Sequence, residues 1–131
     1  MEDSLFTKII KGEIPSHKVY EDDKTFAFLN IHPATEGHVL VIPKAQVEFV
    51  WDLEPSDYQA LMQTVQKVGL RLREVIDMPY VGEMVVGVGV PHAHIHLIPF
   101  ENPTDMKSEL DPPTGEPNHE KLAEVAQKIR F

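Results

Sequence analysis

The chain has 131 residues, 42% of them apolar and 25% charged, with a formal net charge of −9 and no cysteine. That length and mix fit one globular domain with a buried core. The composition excludes disulfides and cysteine-ligated zinc, offers no apolar run of about 18 residues to span a bilayer, and opposes a nucleic-acid backbone as partner, which needs a basic patch.

The opening MEDSLFTKII is acidic and lacks the basic-then-apolar pattern of a signal peptide, so a cytoplasmic location is expected. Ser4 is placed to cap a short helix over Leu5–Lys11, with Leu5, Phe6, Ile9 and Ile10 on one face and Gly12 ending it. Val19–Glu21 and Thr25–Leu29 read as a hairpin around Asp22-Asp23, and HVLVI, His38–Ile42, as a strand closed by Pro43. The clearest helix runs from Pro55 to Ile76. Tyr58, Leu61, Met62, Val65, Val68, Leu72, Val75 and Ile76 recur at helical spacing as its core face. Trp51, just before it, is expected to be structural. Tyr80–Val88 and Pro91–Ile98 read as two strands joined tightly through Gly87-Val88-Gly89. Residues 101–117 carry four prolines and read as a surface loop, and 118–131 as a C-terminal helix capped by Asn118, with Leu122, Val125, Ala126 and Ile129 on one face. About five strands in antiparallel-looking pairs with three helices make an α+β class.

Within this frame, GVGVPHAHIHLIP, residues Gly87–Pro99, places His92, His94 and His96 at alternate positions. In a strand they would share one face, roughly 7 Å apart, while Ala93, Ile95 and Leu97 face the core. Two chemistries suit such a row. Alternate histidines can supply zinc ligands with a third from elsewhere, although the outer pair reaches one ion only if the strand bends, and no Asp or Glu stands beside them. Alternatively, one imidazole attacks phosphorus. At an unperturbed pKa near 6.5, roughly three quarters of it is neutral at pH 7. A neighbour would fix its tautomer and another would help the leaving group depart.

The run His92-Ala93-His94-Ile95-His96-Leu97-Ile98 resembles the alternating His-apolar signature of the histidine-triad (HIT) nucleotide-binding proteins. SLFTKIIKGEIPSHKVYEDDKTFAFLNIHPATEGHVLVIPK, Ser4 to Lys44, is similar to the N-terminal half of that family's Hint-like branch. The resemblance covers residues 3–100 or so, and the C-terminal helix is similar to one in some bacterial members. It implies a HIT-like fold: a five-stranded antiparallel sheet, a long helix, a short N-terminal helix and a C-terminal helix. It further implies nucleotidyl transfer through a nucleotidyl-histidine, with His94 as nucleophile, His96 touching the phosphate and assisting the leaving group, and His92 and His38 in the hydrogen-bond relay. Phe6, Ile9, Phe28 and Ile31 match positions that form the base slot. Asn30 stands where family members usually carry a ribose-gripping Asp, and His32 beside it reads as solvated surface.

The resemblance breaks before the histidines. Members place an Asn on the preceding strand and then a Gly-rich, phosphate-holding loop ending in Gly-Gln or Gly-Ser. Here Met84-Val85-Val86-Gly87-Val88-Gly89-Val90-Pro91 is several residues shorter and has no Asn, Gln or Ser. Loss of one preorganised oxyanion donor slows a reaction about 100- to 1000-fold. The Gly89 and Val90 backbone could keep a phosphate role, whereas Pro91 has no N–H to offer. Lys107 and Ser108, on the segment after the histidines, are candidate replacements. The tryptophan that some Hint-like members carry near the C-terminus is absent.

The expectation is therefore a nucleotide-binding hydrolase or transferase acting on purine nucleoside monophosphate esters or phosphoramidates, with no cofactor required and zinc the minority reading. Dinucleoside polyphosphate hydrolysis is the alternative reaction. A binding module with little catalysis and a histidine metal site are the rivals from other classes. The resemblance implies a homodimer, with which an apolar strand at Met84-Val85-Val86 is compatible, and neither nucleic acid nor membrane is expected as partner.

Overall fold

The computed structural model describes residues 2–110 and 115–131, with the side chains of 107–110 left aside. Its elements in chain order are α1 (Leu5–Ile10), β1 (Lys18–Glu21), β2 (Thr25–Leu29), β3 (Val39–Pro43), α2 (Pro55–Val75), β4 (Tyr80–Met84), β5 (Ile95–Phe100) and α3 (His119–Ile129), with 3-10 turns at Val50–Asp52 and Pro103–Leu110. The strands form one sheet in the order β1-β2-β3-β5-β4, and every neighbouring pair is antiparallel. This is the expected α+β, HIT-like architecture.

Local chemistry explains the element ends. The Ser4 hydroxyl accepts the Thr7 amide at 3.0 Å to cap α1, and Gly12, at φ +81°, ends it. Asn118 accepts the Lys121 amide and caps α3. Each face of the sheet then meets a different layer. Val19, Ala27, Leu29, Val39, Val41, Ile95 and Leu97 turn toward Leu61, Val65, Val68 and Leu72 of α2 and the buried face of α3. Phe26, Phe28, Leu40 and Ile42 turn the other way, against Phe6 and Ile9 of α1. The period-2 alternation of the strands thus separates a large two-helix core from a smaller aromatic cluster.

Four local expectations fail. β4 ends at Met84 and β5 begins at Ile95, so residues 85–94 form an irregular connection rather than a tight turn between long strands. Gly87 and Gly89 take φ of +79° and +95°, which breaks an extended run, and the Ala93 amide donates to Val47 rather than to β4. Val85 and Val86 accordingly lie beyond the edge strand instead of extending it. Trp51 is no structural anchor: it is 79% exposed on its 3-10 turn. The proline-rich segment is not all loop, because Pro103–Leu110 forms a 3-10 turn. The Lys107 and Ser108 side chains lie outside the described residues, as do residues 111–114.

That last turn is seated by contact with a strand glycine. A Cβ on Gly82 would stand 2.6 Å from the Met106 methyl and 3.2 Å from the Phe100 ring. Gly82→Val should therefore push the Met106 thioether aside and destabilise the fold by about 1 kcal/mol through overpacking. Pairing it with Met106→Ala should recover most of the loss in a denaturant titration, and a valine tolerated alone would contradict the packing.

Candidate functional site

The four candidate histidines come from two places in the fold. His38 lies immediately before β3, and His92 and His94 lie on the irregular approach to β5. Only His96 is a strand residue, pairing with Leu40 and Met84. The expected strand carrying all three triad histidines is therefore half formed, yet the alternation survives. Ala93, Ile95 and Leu97 are buried in the two-helix core, while His92, His94 and His96 are buried on the opposite side. The Phe6 ring meets His94 edge-on at 5.2 Å, and His94 meets His96 edge-on at 5.2 Å.

Hydrogen bonds to the main chain settle the tautomers, because a carbonyl can only accept and an amide can only donate. His94 Nδ1 lies 2.8 Å from the His92 carbonyl, so Nδ1 carries the proton and Nε2 keeps the lone pair. The Ala34 amide donates to His38 Nδ1 at 3.0 Å. His38 must then be protonated on Nε2, which donates to His96 Nδ1 at 3.0 Å. Neutral His96 consequently holds its proton on Nε2. His92 donates from Nε2 to the Pro43 carbonyl at 2.8 Å and accepts from the Ser4 hydroxyl on Nδ1 at 2.7 Å. The site therefore holds a lone-pair nitrogen on His94 next to a His96 that carries its proton on Nε2. His92 reaches His94 through its carbonyl, and the ring-to-ring hydrogen bond joins His38 to His96.

Burial holds all four imidazoles neutral. It pushes His38 down to about 3 and His96 down to about 4, each with a further lowering from the neighbouring histidine. Burial also lowers His94 and His92, against an opposing main-chain hydrogen bond in each case. Among the described residues no buried side-chain nitrogen or oxygen lacks a partner. No group of three or more His, Asp or Glu among them is gathered as a metal cage.

The expected nucleotide residues divide by burial. Phe6, Ile9 and Phe28 are buried together, and Phe6 and Phe28 pack edge-on at 5.4 Å. Ile31 is 41% exposed. Asn30 is half-buried, and its side-chain oxygen accepts the His32 amide at 2.8 Å. His32 is half-buried rather than fully solvated. Val90 packs against the Phe6 cluster, whereas Gly89 is exposed. On the other side of His94 opens a cleft of about 70 Å³ lined by Phe49, Trp51, Val85, Val86 and Gly87. None of the base-slot residues lines it, so His94 stands between the two. Sequence reasoning missed this cleft, and it missed Thr7, Gln46, the Pro43 carbonyl and the Ala34 amide as holders of the histidines. Ser4 was legible only as a helix cap.

The family model for the HIT domain matches residues 11–102. The chain is 41% identical over 105 residues to an adenosine 5'-monophosphoramidase of Candida albicans, covering 72% of this chain and 68% of that one. It is 39% identical over 110 residues to an uncharacterized HIT-like protein of Borreliella burgdorferi, covering 78% and 79%. Its fold matches the crystal structure of a Hit-like protein involved in cell-cycle regulation from Bartonella henselae with a TM-score of 0.85 and 31% identity, over 98% of this chain and 94% of that one.

The depressed histidines link stability to pH. An unfolded histidine takes up a proton near its ordinary value of 6.5, while folded His38 and His96 resist until about 3 and about 4. The unfolded state binds more protons throughout that interval, so stability should fall as pH drops from 6.5 toward 4. The thermal midpoint followed across that range should show it, and His38→Asn should flatten the slope. Imidazole resonances of His38 and His96 that titrate near their ordinary value would refute the assignment.

Proposed function

This chain belongs to the HIT-domain family, a family of nucleotide-binding hydrolases, and on that premise we propose that it cleaves nucleoside monophosphate esters or phosphoramidates through a covalent nucleotidyl-His94. The observation that carries the proposal is the bond from His94 Nδ1 to the His92 carbonyl, which leaves Nε2 as a lone-pair nitrogen. A neutral, desolvated imidazole with one fixed tautomer is a competent nucleophile toward phosphorus. The name of the Candida albicans relative supports an adenosine phosphoramidate as substrate class.

In this reading the base sits against Phe6, Ile9, Phe28 and Ile31, and the Asn30 amide meets the ribose without a charge. His94 Nε2 attacks the α-phosphorus, a new N–P bond forms, and the P–O or P–N bond to the leaving group breaks. His96 offers its Nε2 proton as a hydrogen bond to the phosphoryl and leaving atoms, and the departing alcohol or amine takes its proton from water. His38 keeps His96 in that donor form. Water then attacks the nucleotidyl-histidine, releasing the nucleoside monophosphate and restoring His94. The Gly89 and Val90 backbone faces the phosphate, and the leaving group enters the Phe49–Trp51 cleft. No step draws on a metal ion.

The same reading includes a second copy of the chain. β4 is an edge strand, and an open groove of about 480 Å³ beside it is lined by apolar Met62, Leu70 and Val81 together with polar Gln63, Gln66 and Glu83. Pairing across that edge would cover its exposed main-chain groups. Sedimentation equilibrium should return the mass of two chains, and a single-chain mass at micromolar concentration would remove the dimer from the proposal.

The chemical test is direct. Wild type incubated with an adenosine phosphoramidate at pH 7 and quenched in base should gain the mass of one AMP moiety. His94→Ala should gain none, and its kcat/KM should fall at least about 1000-fold. Nucleotide binding without adduct or AMP release would reduce the protein to a binding module.

A further inference from the structure

The side chains around His92 form a closed hydrogen-bond system that the reaction as described does not use. Ser4 caps α1 and Thr7 lies in its first turn, on the helix that also carries Phe6 and Ile9. Gln46 lies on the chain just after β3. The Gln46 side-chain oxygen accepts from the Ser4 amide at 2.8 Å and from the Thr7 hydroxyl at 2.6 Å. Its nitrogen donates to the Glu2 carbonyl at 2.8 Å. The Thr7 proton is thereby committed to Gln46, and the Thr7 amide donates to the Ser4 oxygen at 3.0 Å. The Ser4 proton has two acceptors in reach, the Thr7 hydroxyl oxygen at 3.2 Å and His92 Nδ1 at 2.7 Å, and the shorter contact to a ring nitrogen that needs a donor takes it. His92 cannot supply a proton at that nitrogen while it stays neutral, because its own is held on Nε2 by the Pro43 carbonyl.

We propose that Ser4 is a positioning residue for His94, acting through His92. Its hydroxyl and the Pro43 carbonyl fix the two edges of the His92 ring, and the carbonyl of that same residue holds the proton on His94 Nδ1. With the ring pinned at both nitrogens, the His92 peptide has one orientation, so His94 has one tautomer. The same hydroxyl caps the helix that carries Phe6 and Ile9, so one oxygen atom registers the base slot against the nucleophile. Removing it leaves the buried acceptor on His92 only the Thr7 hydroxyl, 3.3 Å away and already bonded to Gln46 at 2.6 Å. The His92 ring then tilts or admits water, the carbonyl shifts, and a fraction of His94 carries its proton on Nε2, where it cannot attack.

The inference rests on the proposed nucleotidyl transfer for its kinetic consequence, but its structural half is measured without turnover. Nitrogen-15 imidazole spectra of wild type should show His92 protonated on Nε2 and His94 on Nδ1. His92 protonated on Nδ1 would overturn the proposal whatever the activity. In Ser4→Ala the His94 signal should broaden toward a tautomer mixture. Its kcat for AMP release should fall roughly 10- to 100-fold, well beyond the smaller loss of AMP affinity that the uncapped α1 brings to the base slot. Ser4→Thr keeps the hydroxyl and should restore most of the rate. Unchanged kcat in Ser4→Ala, or kcat falling only in step with the folded fraction, would also overturn it. Should Ser4→Ala not fold, Thr7→Val should give a smaller loss with the same kcat and affinity split, and a loss of affinity alone would contradict the proposal. A wild type without turnover would end the hydrolase reading while leaving the tautomer measurement to decide the clamp.

Discussion

One main-chain carbonyl governs the chemistry available to this chain. The His92 carbonyl accepts from His94 Nδ1, and that bond determines which face of the imidazole is reactive. It can form only because residues 91–94 are outside the sheet. In a regular ladder the His92 carbonyl would be engaged by a neighbouring strand. The two positive-φ glycines and Pro91 keep the approach to β5 irregular, and the Ala93–Val47 bond ties it down. The break in the strand is therefore part of how the nucleophile is made.

The histidines depend equally on where the sheet puts them. Their side of the sheet carries a small aromatic cluster, and burial there disfavours imidazolium. Burying four imidazoles would be costly if any nitrogen lacked a partner. Each ring is instead held by a bond whose direction is fixed by a main-chain group or by another ring already so fixed. The large core under α2 and α3 supports this from the opposite face: Ala93, Ile95 and Leu97 anchor the backbone whose alternate residues are His92, His94 and His96. Packing on one face sets the register, and register sets which groups reach the other.

Much of this was legible in the residues themselves. The caps Ser4 and Asn118, the apolar spacing of α2 and the β-branched run of β3 are local signals, and local physics was enough to place them. The histidine row and its apolar alternation were equally plain. What could not be read was long-range. Nothing near Gln46 announces that it will meet Ser4 and Thr7 across 42 and 39 positions of sequence. Val85, Val86 and Val88 have strong strand preference and argue for a longer β4 than forms, because the two positive-φ glycines outweigh it. Trp51 reads as structural in the sequence, but on its three-residue 3-10 turn Val50 takes the buried side and Trp51 faces outward.

The exposed Trp51 gives the molecule an optical property. It is the only tryptophan in the chain, and it stands on the wall of the cleft that His94 also lines. Emission excited at the red edge of the protein band therefore originates from a single indole at the rim of the histidine site. Whatever enters that cleft exchanges water for a different dielectric around this one fluorophore. The protein thus carries an intrinsic, label-free reporter of occupancy whose signal needs no correction for tryptophans elsewhere in the fold.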